Sequence, residues 1–393
     1  MKRSKTYTFT WEPGIGGIDK ARWDALARPL KTPFFEWEWL HLMESSGSIA
    51  AETGWYPAHL TVWSKEVLVA AAPLYRKLHS EGEFVDDYVW ADLAYRLGIA
   101  YYPKLVGMSP VTPVQGYRFL ISPAEDVAEL TGLMLAEIER YCRENRISGY
   151  HFLFADPGWV SGLPDNSCCV WHHPVLIWKN RGYQNFSDYL ALFNANQRRN
   201  IIRERRRAVQ LGITFRQLTG DEITPAHMEM MYRYYVGTNS KFGSWGCRYL
   251  AHDFFRRLPD RFGERLMLLG AFREGETGGP VAMGLFIYKG DRLYGRYWGC
   301  REALDTLHFN TCYYSPIKWA IGRGIREFDP GIGGGHKVRR GFESAPGCSL
   351  HRFFDPEMET IMKMNIDRIN RQTLRQIDAL NRSIPYANKP GGG

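Results

Sequence analysis

The sequence predicts an α/β protein of two like domains, each a mixed, mostly antiparallel sheet flanked by helices. Three observations carry this. The chain has 393 residues, and at roughly 100–200 residues per domain that length calls for two. A hydrophobic content of 45% with 13 Trp supplies two cores and argues against wholesale disorder. The order of strand-like and helix-like stretches also repeats once along the chain.

In the first half, residues 7–11 read as a strand, and 19–27 and 36–44 as short helices. Stretches 58–63 and 67–75 are β-rich and separated by Ser64-Lys65-Glu66, a hairpin pattern. Residues 84–90 read as a third strand and 92–115 as irregular and aromatic. Ser122-Pro123 signals a helix reaching 145, with Ser as cap and Pro at the first helical position. Val127, Leu130, Met134 and Ile138 stripe one face of it, and 149–154 is a strand ended by Asp156-Pro157-Gly158.

The second half opens with a strand over 170–178 and one long helix over 186–211, capped by Ser187. A strand at 213–218 precedes helices at 224–240 and 248–258. Strands 266–273, 281–289 and 292–299 follow, the last two split by Gly290-Asp291, a hairpin signal. A helix over 306–324 ends in glycine, 326–329 is a strand, and 355–382 is a long polar helix. Met358, Ile361, Met362, Ile366 and Ile369 lie toward one side of that helix, and the tail Gly391-Gly392-Gly393 reads as disordered. The domains are placed at 1–178 and 179–393. Each half gives strand, two helices, three strands, helix, strand. That is the order of the GNAT acyltransferase fold, an analogy of architecture that carries no chemistry by itself.

Fifty Lys+Arg against 42 Asp+Glu leave a net charge of +8, a moderate pull toward polyanions such as nucleic acid or acidic lipid. The 7 cysteines are odd in number and form no Cys-x-x-Cys pair. A zinc site or disulfide framework is not expected, and a reducing cytoplasm is. Met1-Lys2-Arg3-Ser4-Lys5 is followed by β-like sequence, not an apolar stretch, so no signal peptide is expected. The longest apolar run, near 67–74, is too short to span a bilayer. No metal-ligand spacing stands out.

Chemistry concentrates in residues 326–354. A strand-like run stops at Asp329-Pro330, then Gly331, Gly333, Gly334 and Gly335 let the backbone turn tightly or admit a ligand. His336, Lys337, Arg339 and Arg340 follow, and His351 lies on the next strand. An acid, a flexible loop, a titratable His and several cations at a strand end describe a binding or catalytic loop. A second segment, 194–208, carries six arginines against one glutamate, Glu204. Arg199, Arg203, Arg206 and Arg207 share a helix face, with Arg198 and Arg205 beside them. Arginine forks match phosphates, whereas the ordinary fate of a charge run is a solvated face. The glycine turn that holds a pyrophosphate before the central helix is missing. Gly299-Cys300-Arg301-Glu302-Ala303-Leu304-Asp305 stands there, and its two acids would repel an anion.

With these segments together the chain resembles the FemAB-like family of N-acyltransferases, the peptidoglycan biosynthesis/recognition proteins. The resemblance runs from about Pro33 to Asp355. It rests on Gly54-Trp55-Tyr56-Pro57, Gly82-Glu83-Phe84-Val85, Tyr101-Tyr102-Pro103-Lys104-Leu105, Arg198 to Arg207, Gly295-Arg296-Tyr297-Trp298-Gly299, Leu307-His308-Phe309 and Asp329-Pro330-Gly331 with His336-Lys337 and Arg340-Gly341-Phe342. It departs from the family pattern at Gly335, where an acid is usual, at Asp86, and at Gly347-Cys348-Ser349 before His351.

The resemblance implies tandem GNAT-like (Fem-type) domains and acyl transfer to an amine. It implies aminoacyl-tRNA as co-substrate, no bound cofactor, and a small-molecule or peptide-like amine as acceptor. An acyl-CoA donor, and a non-catalytic tRNA- or envelope-binding protein on the same fold, are the alternatives. His336 is the first candidate proton acceptor, followed by His308 and His351, with Asp329 to orient His336. Lys337 and Arg340 are candidates to hold the tRNA 3′ end or an acidic acceptor. Glu83 and Asp86 are candidates for the acceptor amine, and Tyr297, Trp298, Tyr101 and Tyr102 for the pocket wall. Arg198, Arg199, Arg203, Arg205, Arg206 and Arg207 are the expected tRNA contacts. The amino acid, the acceptor and the oligomeric state are not legible.

Overall fold

The computed structural model describes residues 5–164, 167–243 and 246–387; the basic start at 1–4 and the glycine tail lie outside them. The chain forms two compact units. The first comprises 1–174 and 346–374, the second 175–345 and 375–393. This differs from a single cut after 178. Leu350 to Phe353, the end of strand Glu343–Phe353, pair with Gly149–Phe152 and return that stretch to the first unit.

In the first unit, Thr8–Glu12, His59–Ser64, Val67–Ala72 and Leu120–Ile121 form an antiparallel sheet. Its hairpin closes with Ser64 opposite Val67, so Lys65 and Glu66 make the turn, with Lys65 at φ 56°. Trp55–Pro57, Tyr75–Lys77 and Lys104–Gly107 pair antiparallel, and Lys104–Gly107 then runs parallel to Gly149–Phe152. Helix Val127–Glu144 buries Leu130, Met134 and Ile138 against Leu60, Val62, Leu105 and Phe152.

Two expected elements of this unit change. Residues 84–90 are not a strand: a loop leads into helix Tyr88–Arg96. Its aromatic and β-branched residues imitate a strand, but Trp90 and Ala94 bury one helical turn apart while Val89 and Tyr95 stay exposed. The third strand is Lys104–Gly107 instead. The helix expected from 122 starts at Val127, because Asp126 accepts from the N–H groups of Ala128 and Glu129, while Ser122 N–H donates to the Val69 carbonyl.

In the second unit, Ile213–Thr219, Leu266–Arg273, Ala282–Lys289 and Arg292–Cys300 are antiparallel neighbours. Arg292–Cys300 runs parallel to Glu327–Asp329, as the third strand of the first unit does to Gly149–Phe152. Met267, Leu269, Phe286, Leu293, Tyr314, Ile317 and Phe328 form the core. The long helix expected over 186–211 is two helices, Phe186–Ala191 and Ala195–Gln210. Asn194 breaks it: its side chain accepts from Gln197 N–H and its own N–H donates to the Pro385 carbonyl. Asn185, not Ser187, caps the first piece. The helix expected over 248–258 runs from His252 to Phe262, and the polar helix is Pro356–Arg382. Among the described residues no helix is long and apolar enough to cross a membrane, and no group of three or more His, Cys, Asp or Glu could hold a metal.

Candidate active site

The second unit assembles a site where two parallel strands part. Arg292, Leu293 and Tyr294 pair with Glu327, Phe328 and Asp329. Beyond that the first strand continues to Cys300 while the other enters the glycine loop. A bulge sits at the parting: Leu285 faces Tyr297 and Phe286 faces Gly295, leaving Arg296 as the extra residue. Bulges re-aim side chains beside functional sites. Next along the chain, helical residues run from Leu307 to Gly322 with one wide turn at Asn310–Tyr314. Wide turns of this kind are rare and recur at functional sites.

Three sequence candidates meet here. The His308 ring lies 4.3 Å from Trp298 and 5.6 Å from His336, between centroids. His336 Nε2 is 2.9 Å from the Tyr313 hydroxyl, and its ring lies 5.8 Å from Phe309. Burial, then the Arg340 and Lys337 charges, hold His336 below the ordinary imidazole range, so it is neutral at pH 7. Among the described residues its Nδ1 has no hydrogen-bond partner. His308 is pushed down to about 3 by burial and by the same charges with His336; it is a neutral wall under Trp298. Gly334 makes room for this arrangement: at φ 87°, a Cβ there would stand 2.4 Å from His336 Cε1.

Other candidates are placed differently. Asp329 does not touch His336: its Oδ1 accepts from Gly331 N–H at 2.8 Å and closes the turn into the glycine loop. Lys337 is buried, and its Nζ donates to the carbonyls of Gly331 at 2.7 Å and Ile332 at 3.0 Å. Burial brings its pKa down to about 8. Arg340 is also buried and committed, with its guanidinium bonded to the His336 carbonyl at 2.8 Å and Glu204 at 2.9 Å and lying 3.5 Å over Phe309. Tyr297 points away from Trp298, as alternate strand residues do, and packs on Tyr235 and Phe255.

The arginine helix divides in two. Arg205 packs on Phe186 at 4.2 Å and Arg198 is half-buried. Arg199, Arg203, Arg206 and Arg207 are exposed, and none forms an ion pair among the described residues. These four line a groove of about 740 Å³ with Ile202, Glu204, Gln210, Asp305, Thr306 and Phe309. Phe309 therefore belongs both to the groove and to the surroundings of His336. Sequence reasoning passed over Tyr313, Arg296 and the role of Glu204; only the solitary acid among six arginines marked the last.

The remaining candidates lie in the first unit. Lys104 is buried and donates to Glu83 at 2.7 Å, to Asp87 at 2.5 Å and to Ser80 at 2.8 Å. Tyr101 donates to Asp87 at 2.8 Å, and the Tyr102 hydroxyl lies 2.7 Å from Ser80. Burial pushes the Glu83 carboxyl up despite Lys104. For Asp87 burial is outweighed by Lys104 and by bonds from Lys104, Ser80 and Tyr101, which hold it low. Asp86 is exposed and outside this cluster; its neighbour Asp87 is the acid inside. Lys77, opposite Lys104 on the adjacent strand, donates to the Glu81 carbonyl at 2.8 Å over the Trp55 ring, and burial brings it down to about 7. His351 is buried with Nδ1 2.9 Å from that of His151 and pushed down to about 3 by burial. It is a packed, neutral pair member. Lys104 and Lys77 were missed because a lysine on a short strand gives no sign of burial, and Asp87 because nothing in the sequence separates it from its exposed neighbour Asp86.

The sequence profile of the FemAB-like family, described as peptidoglycan biosynthesis/recognition, matches residues 14–388. No curated protein matches the chain. Among solved structures, FemX aligns over 88% of this chain and 98% of its own at 11% identity and a TM-score of 0.53. L-PGS from Bacillus licheniformis aligns over 90% of this chain and 98% of its own at 10% identity and a TM-score of 0.51. At such identity the likeness is one of fold.

Proposed function

The chain belongs to the FemAB-like family and is an acyltransferase on tandem GNAT-like units, and from that premise we propose that it takes an aminoacyl group from aminoacyl-tRNA and transfers it to an amine of a small-molecule or peptide-like acceptor. One observation carries the reading: four exposed arginines that form no ion pair among the described residues line a groove whose wall, Phe309, also contacts His336. A polyanion drawn to that face places its terminal group toward a neutral imidazole whose Nδ1 is unbonded among the described residues.

The chemistry asks little of the protein. The ester is already activated. The acceptor nitrogen attacks the ester carbonyl, the new C–N bond forms, and the C–O bond to the terminal ribose breaks. His336 accepts the amine proton and returns it to the leaving ribose oxygen, so no net proton is held. Positioning and proton acceptance at neutral pH are the protein's contribution. Residues 300–306, which lead into the helix, contain no glycine, so the turn that cradles a pyrophosphate is missing there.

The test is binding of bulk tRNA and, separately, acetyl-CoA at two salt concentrations. The expected result is salt-sensitive tRNA binding and no CoA binding. Changing Arg199, Arg203 and Arg206 to Glu flattens the salt slope by about 0.7–0.9 for each phosphate no longer neutralised. CoA binding without tRNA binding overturns the donor assignment.

A further inference from the structure

The arginine helix is joined to the turn that carries His336. We infer that Glu204 is a positioning residue, which through Arg340 ties the groove to the backbone of His336. This rests on the transfer-site reading above.

The contacts form one continuous path. Glu204 lines the groove, with its side chain 19% exposed. Its Oε2 accepts from Arg340 at 2.9 Å and from the Tyr314 hydroxyl. The other limb of the Arg340 fork donates to the His336 carbonyl at 2.8 Å. Three further bonds tie the turn and the arginine helix to each other and to their neighbours. Gln197, two turns earlier on the same helix face, donates to the Arg339 carbonyl at 2.8 Å, and Tyr189 donates to the Arg340 carbonyl at 2.9 Å. Asn310, in the wide helical turn, donates to the Glu204 carbonyl at 3.0 Å.

A solvated arginine face explains none of this. An acid among six arginines in a helix that attracts polyanions weakens that attraction, and Glu204 sits inside the groove. Its carboxylate is instead committed inward. The Arg340 side chain is 4% exposed, so its charge needs a partner at that depth. Glu204 supplies the partner and leaves the outward arginines uncompensated. An arginine fork suits the task because one planar group reaches two acceptors in fixed directions, which a lysine cannot do.

The consequence is electrostatic as well as geometric. His336 is faced by Lys337 and Arg340 from its own turn, and by His308, Phe309 and Tyr313 from the helix. Arg340 favours the neutral imidazole, and Glu204 offsets that charge. Removing Glu204 therefore strengthens the unbalanced cation beside His336.

The experiment follows the His336 ring by NMR titration in the full-length protein, assigned with His336→Gln, for wild type, Glu204→Gln and Arg340→Lys. Glu204→Gln is the mild change, isosteric and at a partly exposed side chain; a thermal melt verifies folding. His336 is expected to titrate at lower pH in Glu204→Gln than in wild type, and added bulk tRNA to shift the ring signal in wild type but not in the variant. With a charged donor and an amine acceptor, kcat falls about tenfold to a hundredfold at unchanged KM for tRNA, the size expected of a small misplacement. Arg340→Lys, which keeps the charge and loses the fork, reproduces the kcat loss. An unchanged His336 titration in folded Glu204→Gln overturns the inference. So does a tRNA-induced shift that persists in the variant. If wild type binds no tRNA, the donor reading fails instead, and the ligand-free titration still decides the role of Glu204.

Discussion

Lys104→Met tests the buried ionic layer of the first unit. Lys104 is 1% exposed and holds Glu83 and Asp87 at 2.7 and 2.5 Å. Removing one partner of a buried ion pair costs about 3–5 kcal/mol, because the other charge stays buried and unpaired. Here two carboxylates are left. The cost is bounded by protonation, and Glu83 already lies above the usual carboxylate range. The pH dependence then changes sign. In wild type the depressed Asp87 adds stability that is present above its unfolded value of about 4 and is lost as pH falls through its folded value. In the variant the Lys104 charge and bonds are gone, so burial is opposed at Asp87 only by the Ser80 and Tyr101 bonds and at Glu83 only by Lys77; both carboxyls move up, and the penalty grows as pH rises above their unfolded values. Acidification protonates them and charges Lys77, the cross-strand neighbour that can supply an ammonium. Guanidinium unfolding followed by amide exchange in the first unit, at pH 5 and 7.5, reads this directly. The loss relative to wild type is expected to be larger at pH 7.5. A loss of equal size at both pH values, or one below about 1 kcal/mol, would refute the reasoning.

Two further outcomes follow from the same arguments. Lys77, lowered to about 7 by burial, must be charged below that pH at a cost, so Lys77→Met should stabilise the first unit at pH 6 more than at pH 8.5, read by thermal melts. Gly334→Ala places a Cβ 2.4 Å from His336 Cε1 at φ 87°. The backbone strain is about 1–3 kcal/mol, so turnover should fall while the melting temperature drops by only about 2–10 °C and the protein stays folded at assay temperature. An active Gly334→Ala would show that the ring position seen in this fold is not the working one.

Much of the fold was legible because its signals are periodic. The three successive strands at 266–300, the Gly290-Asp291 turn and the polar C-terminal helix each announce themselves by spacing. Tyr88–Arg96 did not, because aromatic and β-branched residues are shared by strands and short buried helices. The break at Asn194 was hidden because the helix signal on both sides is strong, and only the Asn side chain reveals the cap. At the site, His336, His308 and Trp298 were legible from the glycine loop and the strand-to-helix order. Their wall was not: Tyr313 faces His336 through a wide helical turn, which sequence periodicity cannot register. Lys337 and Arg340 were misread as free cations, since a basic run at a loop looks solvated until its carbonyl and carboxylate partners are placed. The same blindness hid Lys104.

The return of residues 346–374 to the first unit bears on how this protein is made. The strand Gly149–Phe152 waits for Leu350 to Phe353, synthesised two hundred residues later. Domains ordinarily fold as units in the order they leave the ribosome. Here the earlier unit is completed only after most of the later one has emerged. A fragment cut near 178 carries an open sheet edge beside buried His151 and an apolar surface meant for Met358 and Met362. Such edges invite association with other chains, so the N-terminal half is a poor candidate for expression alone, and premature termination in the second half should yield insoluble product.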